Sequence, residues 1–136
     1  MRKAQKVAVI AAGAVSVLGL GIGPAHAEGY WSSSMFDWLP GKESRHWKGE
    51  NRDGVSTYVR FSGCSVSTGT FRYAGLQLKR ERAALPDPVV KRLNNACNTV
   101  YFGDQDAGTY YYNYANLNGQ APAHAALSVR EVTVVY

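Results

Sequence analysis

The alternation of apolar and polar residues from Val55 onward constrains the fold of this chain most. Between residues 55 and 61 the two kinds of residue alternate with the period of a half-buried strand. Asp53-Gly54 is a tight-turn pair just before this strand, so residues 47–52 are predicted to form its hairpin partner. The strongest strand pattern lies at residues 127–136, where Val, Thr and Tyr dominate.

Other parts of the chain repeat this pattern and are separated by turns rich in Gly, Asn and Asp. The predicted strands are residues 70–78, 98–102 and 109–116, and the predicted turns are residues 103–108 and 118–119. The sequence therefore predicts a mainly β, single-domain sandwich or barrel of about six or seven antiparallel strands.

One short helix is predicted between the central strands. Asp87 is a suitable N-cap, and Pro88 suits the first helical position. Val89, Leu93 and Cys97 then recur every four residues, as on one face of a helix. This helix would bring Cys97 to the strand that carries Cys64.

The first 27 residues have the features of a secretory signal peptide. Basic residues precede an apolar run at residues 7–20, and Ala25-His26-Ala27 places small residues at the positions that a signal peptidase requires. We expect cleavage after Ala27 and a secreted, extracellular protein. The mature chain would consist of an aromatic-rich arm at residues 28–46 and a β domain at residues 47–136.

Charge and hydropathy exclude several classes of protein. The whole chain has a formal net charge of +5, but Arg2, Lys3 and Lys6 lie in the signal peptide, so the remainder is nearly balanced. A strongly cationic nucleic-acid-binding protein is therefore not expected. No later segment has about 18 consecutive apolar residues, so no membrane span is expected.

Cys64 and Cys97 are the only two cysteines. An even number of cysteines in a small secreted protein is typical of a disulfide bond. The bridge would close a loop of about 34 residues and stabilise the fold by about 3 to 4 kcal/mol. Metal binding or redox exchange would require a C-x-x-C motif or a His/Cys cluster, and neither occurs.

The sequence contains no motif that indicates catalysis, a metal site or a cofactor. Beyond residue 27 its histidines are His46 and His124, and no serine lies in a G-x-S-x-G motif. Residues 104–108 resemble the start of a calcium loop, but Thr109 and Ala115 occupy the positions where Gly and Glu are required. Two acidic residues could still meet in space, although no pair is preferred. We expect a non-enzymatic protein without cofactor or metal.

Large aromatic side chains cluster in the arm. The candidate partner-binding residues are Tyr30, Trp31, Phe36, Trp38 and, just beyond the arm, Trp47. No period of 2 or 3.6 organises them, so the arm is predicted to be irregular. These residues are typical anchors of protein interfaces. The equally weighted alternative is that the arm packs on its own β domain.

Two other clusters have both a structural and a functional interpretation. Tyr110, Tyr112 and Tyr114 would share one strand face, which is predicted to be core, although an exposed face would form a stacking platform. Residues 79–82, together with Lys91-Arg92, form a basic patch. A solvated surface is the favoured interpretation, and binding of an acidic partner or an anionic envelope polymer is the alternative.

The overall plan resembles a known family. Its parts are the signal peptide, the aromatic arm, Ser44-Arg45-His46-Trp47 before Asp53-Gly54, the Cys64/Cys97 pair and the strand at residues 127–136. This plan is similar to that of the adaptor subunits of umbrella toxin particles secreted by Streptomyces. The resemblance implies a β-rich linker between a lectin-like subunit and the repeat stalk of a large antibacterial toxin, with the arm offered to a partner. The alternatives are a secreted carbohydrate-binding module and an exported protease inhibitor.

Overall fold

A computed structural model of the chain describes residues 28–52 and 54–136. The predicted signal peptide and Asp53 lie outside the described residues. The described part contains eight β-strands and no helix. The strands are β1 (Tyr30–Trp38), β2 (Trp47–Gly49), β3 (Thr57–Val66), β4 (Ala74–Arg80), β5 (Val89–Asn95), β6 (Thr99–Gly103), β7 (Gly108–Leu117) and β8 (Leu127–Val135).

The strands form two antiparallel sheets of four strands each. Sheet A has the order β1-β8-β3-β6, and sheet B has the order β2-β7-β4-β5. The prediction of a mainly β sandwich is therefore confirmed, with eight strands where about six or seven were expected. The described residues include no helix long and apolar enough to cross a membrane.

The hydrophobic core lies between the two sheets, and Tyr112 of β7 is at its centre. The ring of Tyr112 lies 6.4 Å from the rings of Trp31 and Trp38 and 6.2 Å from that of Phe61. Its hydroxyl donates to the Met35 sulfur at 3.6 Å. The tyrosines predicted as core are buried, with exposed fractions of 3% for Tyr110, 1% for Tyr112 and 0% for Tyr114.

Residues 30–38 of the arm form a strand of the sandwich, so the prediction that the arm is no part of the sheets is wrong, and the alternative that it packs on its own β domain is confirmed. Residues 30–38 form β1, which pairs with β8 at the edge of sheet A. The ladder shifts register after Ser33 and again after Met35, and Asp37 has a φ of 53°. These irregularities break the period of 2 and conceal the strand in the sequence.

The predicted short helix is also wrong, because residues 89–95 form β5 and pair with β4. Val89, Leu93 and Cys97 are separated by even intervals, so they can share one face of a strand as well as one face of a helix. Val89 and Val90 are β-branched and favour the strand. Leu93 lies opposite Leu76 and packs against the core.

The predicted hairpin partner of residues 55–61 is wrong as well. Trp47–Gly49 forms β2 and pairs with β7, where Trp47 lies opposite Tyr110. The preceding segment continues along the same edge of β7, since the backbone N–H of Ser44 donates to the carbonyl oxygen of Tyr112 at 2.8 Å. The segment between β1 and β2 therefore passes from the edge of sheet A to the edge of sheet B.

The predicted disulfide bond is confirmed. Cys64 of β3 and Cys97, in the turn between β5 and β6, are joined with a Cα–Cα distance of 5.9 Å. The buried Asn95 side chain organises this turn: its oxygen accepts from the N–H groups of Cys97 and Asn98, and its amide nitrogen donates to the Val59 carbonyl oxygen at 3.2 Å. The disulfide and Asn95 together join the ends of the two sheets.

Candidate protein-binding face

The structure divides the five predicted partner-binding residues into two groups. Trp31 and Trp47 belong to the core, with rings 6.1 Å apart and exposed fractions of 8% and 4%. Trp38 is half-buried beside them. Tyr30 and Phe36 point outward and are 74% and 78% exposed. Only these last two offer most of their surface to a partner.

Tyr30 belongs to a row of side chains that crosses all four strands of sheet A. The register places Tyr30 opposite Val135, Val135 opposite Tyr58, and Tyr58 opposite Tyr101. Residues that lie directly opposite each other in a sheet share a face. We call Tyr30, Val135, Tyr58 and Tyr101 the tyrosine row.

The tyrosine row lies on the outer face of sheet A. Thr57 and Val59, which flank Tyr58 in β3, are buried toward the core, so Tyr58 points away from it. Tyr101 is 60% exposed, and its ring centre lies 5.4 Å from that of Tyr58. No described part of the chain covers this pair of rings well enough to bury Tyr101.

A second row of polar side chains lies beside the tyrosine row on the same face. Ser32, Thr133, Arg60 and Thr99 are paired across the four strands. The Arg60 guanidinium donates to the Thr133 hydroxyl at 3.4 Å, and that hydroxyl lies 3.4 Å from the Ser32 hydroxyl. Arg60 makes no ion pair with any described residue. We call these four residues the hydroxyl row.

Farther along β1, a groove continues the same face. It has a volume of about 590 Å³ and is lined by Ser32, Ser33, Ser34, Ser62, Arg130 and Glu131. The Arg130 side chain crosses β3 over Gly63, where an added Cβ would lie 2.8 Å from the Arg130 Cβ. Phe36 lines an adjoining groove of about 480 Å³. The outer face of sheet A thus combines aromatic, hydroxyl and charged groups.

On the outer face of sheet B, Tyr111 is covered by other parts of the chain. Tyr111 of β7 points outward, but the His46 ring stacks on it with centres 4.2 Å apart and an interplanar angle of 6°. The Tyr111 hydroxyl donates to Asp87 at 2.6 Å. His46 Nδ1 lies 2.9 Å from a Glu81 oxygen, and Glu43 lies 3.5 Å from Nε2. We call these five residues the His46–Tyr111 cluster.

The ionisation of the His46–Tyr111 cluster follows from these contacts. Partial burial opposes the charge on His46, but the hydrogen bonds with Glu81 and Glu43 outweigh it and raise the pKa of His46 above 6.5. The hydrogen bond from Tyr111 lowers the pKa of Asp87. Burial and the Asp87 carboxylate raise the pKa of Tyr111, so its hydroxyl stays protonated and serves as a donor.

Neither face presents an arrangement typical of a metal site. Within residues 28–52 and 54–136, no group of three or more His, Cys, Asp or Glu side chains is placed to hold a metal ion. The acids nearest His46 are engaged with it or with Tyr111. The outer face of sheet A offers exposed aromatic rings and hydrogen-bonding groups.

Comparisons with protein-family models, with curated proteins and with solved structures found no match to this chain. Function is therefore inferred from the chemistry of the surfaces themselves. Sequence reasoning missed Tyr58 and Tyr101 as candidates. The sequence does carry a sign of each, because each tyrosine lies between residues that a strand would bury: Thr57 and Val59, or Val100 and Phe102.

Proposed function

We propose that this protein is a secreted, non-enzymatic adaptor that binds protein partners through the outer face of sheet A. The tyrosine row, which extends across the whole width of the sheet, is the observation that carries the proposal. By resemblance, the complex is an antibacterial toxin particle in which the adaptor links a lectin-like subunit to a repeat stalk.

The composition of this face supports a protein partner. Tyrosine and arginine are enriched in the centres of protein interfaces, and tyrosine offers a large contact area at a small entropic cost. Four strands about 4.8 Å apart place Tyr30 and Tyr101 roughly 14 Å from each other. That distance spans the central part of an ordinary interface, with Arg60 and its neighbouring hydroxyls beside it.

The N-terminal strand takes part in this face as a support as well as a contact surface. Trp31 and Met35 hold β1 in the core, while Tyr30 and Phe36 extend from its other face. Removal of residues 28–39 would therefore expose the core, and it would not isolate a docking arm. Substitution of exposed tyrosines gives a cleaner test.

The experiment compares tagged wild-type protein with a Tyr30→Ser and Tyr101→Ser double variant, both expressed in the organism that secretes the protein. We expect the wild type to co-purify with large secreted partners from culture fluid and the double variant to lose at least one of them. Leu85→Ser is a matched control, because Leu85 is 54% exposed and lies outside sheet A. Retention of the same partners by the double variant would exclude this face as the binding surface.

A carbohydrate-binding module is the second candidate, supported by the groove lined with serines, Arg130 and Glu131. Sugars offer hydroxyl groups to such side chains, and aromatic rings such as Phe36 supply apolar contact. Retention of the wild type on polysaccharide beads, lost in Arg130→Ala, would favour this candidate. Purification with a protein partner and no retention on polysaccharide would favour the adaptor.

A further inference from the structure

The free edge of sheet B carries a concentration of positive charge. β5 is the outermost strand of this sheet, and its far side pairs with no other described strand. Lys91 and Arg92 of β5 are exposed, and Lys79 and Arg82 lie in or just after the neighbouring strand. We call Lys79, Arg82, Lys91 and Arg92 the basic edge.

Two carboxylates, Glu81 and Asp87, lie in the loop beside this edge, and the charge of Asp87 interacts with Lys79. Glu81 bonds to His46, and Asp87 accepts from the Tyr111 hydroxyl and from the backbone N–H of Arg82. No residue of the basic edge has a described carboxylate oxygen within 4.0 Å of its charged nitrogens. The charges of Lys91 and Arg92 are therefore not neutralised by an ion pair within the described chain.

The strand geometry places these charges on both sides of an accessible backbone. Arg92 lies opposite Gln77, and Lys91 lies opposite the buried Leu78, so their side chains point to opposite faces of β5. The ladder between β4 and β5 shifts register between the pair of Leu78 with Lys91 and the pair of Lys79 with Val89. Val90 is left without a partner at the shift and is 40% exposed. The edge from Lys91 to Asn95 remains regular.

We propose that the basic edge binds an acidic, extended segment of a partner protein alongside β5. The segment would add its backbone to the edge of the sheet, as peptides do when they extend a sheet, and its carboxylates would pair with Lys91 and Arg92. Charge complementarity identifies this occupant. The inference rests on the proposed function only in that the occupant is a protein.

The proposal gives the adaptor two binding surfaces on different parts of the sandwich. The tyrosine row lies on the outer face of sheet A, whereas the basic edge borders sheet B. Two partners could therefore be held together, as a linker requires. The two surfaces share no residue, so they can be inactivated one at a time.

Charged side chains on an edge strand also prevent sheets from joining edge to edge. This protective role depends on the presence of charge, whereas recognition of an acidic segment depends on its sign. Replacement of Lys91 and Arg92 by Glu preserves the protection and reverses the sign. Charge reversal therefore separates the two roles in one variant.

The test uses a fluorescent synthetic peptide of about six residues in which two adjacent Glu are flanked by Thr and Val, so that one carboxylate lies on each face of the added strand, and a matched peptide with Gln in place of Glu. Binding is measured by fluorescence anisotropy and by NMR shifts of backbone amides. We expect the acidic peptide to bind, to shift the amides of residues 90–94 and to bind less tightly at high salt. The Lys91→Glu and Arg92→Glu double variant should bind roughly tenfold more weakly.

Two controls make the result specific. A Lys48→Glu and Arg72→Glu double variant changes the net charge equally at exposed residues outside the basic edge and should bind the acidic peptide normally. The Tyr30→Ser and Tyr101→Ser variant should also bind it normally. The experiments can therefore show separately whether the proposal for the tyrosine row or the proposal for the basic edge is wrong.

Three outcomes would overturn the proposal. The first is equal binding of the Gln peptide, and the second is undiminished binding by the charge-reversed edge. The third is that inorganic polyphosphate binds as tightly as the acidic peptide without shifts at residues 90–94, which would indicate a general attraction for polyanions. A stable, monomeric charge-reversed variant that loses peptide binding supports recognition over edge protection.

Discussion

The outer faces of the two sheets both carry tyrosine, but they use it differently. On sheet B, Tyr111 is 4% exposed because the His46 ring covers it and Asp87 binds its hydroxyl. On sheet A, Tyr30 and Tyr101 are 74% and 60% exposed. The same residue type thus stabilises the domain on one face and remains accessible on the other.

The difference arises from the connections between strands. The segment between β1 and β2 and the loop between β4 and β5 supply His46, Glu81 and Asp87 to the outer face of sheet B. No described loop buries the tyrosine row of sheet A. A large aromatic surface that the chain leaves open is a typical site for another molecule. The comparison therefore separates residues that maintain the fold from residues that can serve a partner.

The largest effect that we predict is the loss of stability in Tyr111→Ala. Removal of a buried aromatic side chain costs about 3 to 5 kcal/mol, and here it also removes the ring on which His46 stacks and the hydroxyl that donates to Asp87. Tyr101→Ala, the matched change on sheet A, should cost about 1 kcal/mol through the loss of its contact with Tyr58. Urea unfolding of both variants measures the difference. Equal losses in the free energy of unfolding would show that Tyr111 and Tyr101 contribute equally to stability.

Several strands could be predicted because both their composition and their flanking turns favour a β-strand. Residues 98–102, 109–116 and 127–136 were expected to be strands and form β6, β7 and β8 almost to the residue. These segments are rich in β-branched and aromatic residues, and turns with Gly or Asn separate them. The disulfide could be predicted because the chain has only two cysteines.

The features that the sequence did not predict correctly have specific structural causes. The bulges of β1 hid the spacing of Trp31 and Met35, and the interval of four residues at Val89, Leu93 and Cys97 fits two kinds of structure. The tyrosine row could not be predicted, because it depends on the register between four strands that are distant in sequence. Covering of Tyr111 by His46 is likewise a contact between distant segments.

We predict a smaller effect for the His46–Tyr111 cluster of sheet B, which should make the stability of the fold depend on pH. The pKa of His46 is raised in the folded protein, so its protonated form contributes stability below pH 6.5. This contribution is lost as the pH rises through the folded-state pKa. NMR titration of the imidazole should therefore give a midpoint above 6.5.

Two glutamate variants test the cause of that shift. Glu81→Gln removes the charged partner of His46 Nδ1, so the midpoint should fall. Glu131→Gln is the matched control, because Glu131 lies on β8 of sheet A and opposite Ser62. It should leave the His46 midpoint unchanged. An unchanged midpoint in Glu81→Gln would mean that the contact with Glu81 does not govern the ionisation of His46.

The smallest change in stability that we predict belongs to Tyr30→Ser. Tyr30 lies on the edge strand, is mostly exposed and faces Val135 across the ladder, so its loss should change the free energy of unfolding by no more than about 0.5 kcal/mol. Its effect on partner binding should be much larger, since an aromatic anchor of an interface contributes about 2 kcal/mol or more.

Thermal melting and partner binding are measured on the same preparation of Tyr30→Ser. Leu85→Ser is again the control, because Leu85 is 54% exposed and lies outside sheet A. An unchanged melting temperature with weakened binding would place Tyr30 in the interface. The opposite result, a lower melting temperature with normal binding, would mean that Tyr30 supports the fold as Tyr111 does, and the contrast between the two faces would not hold at this residue.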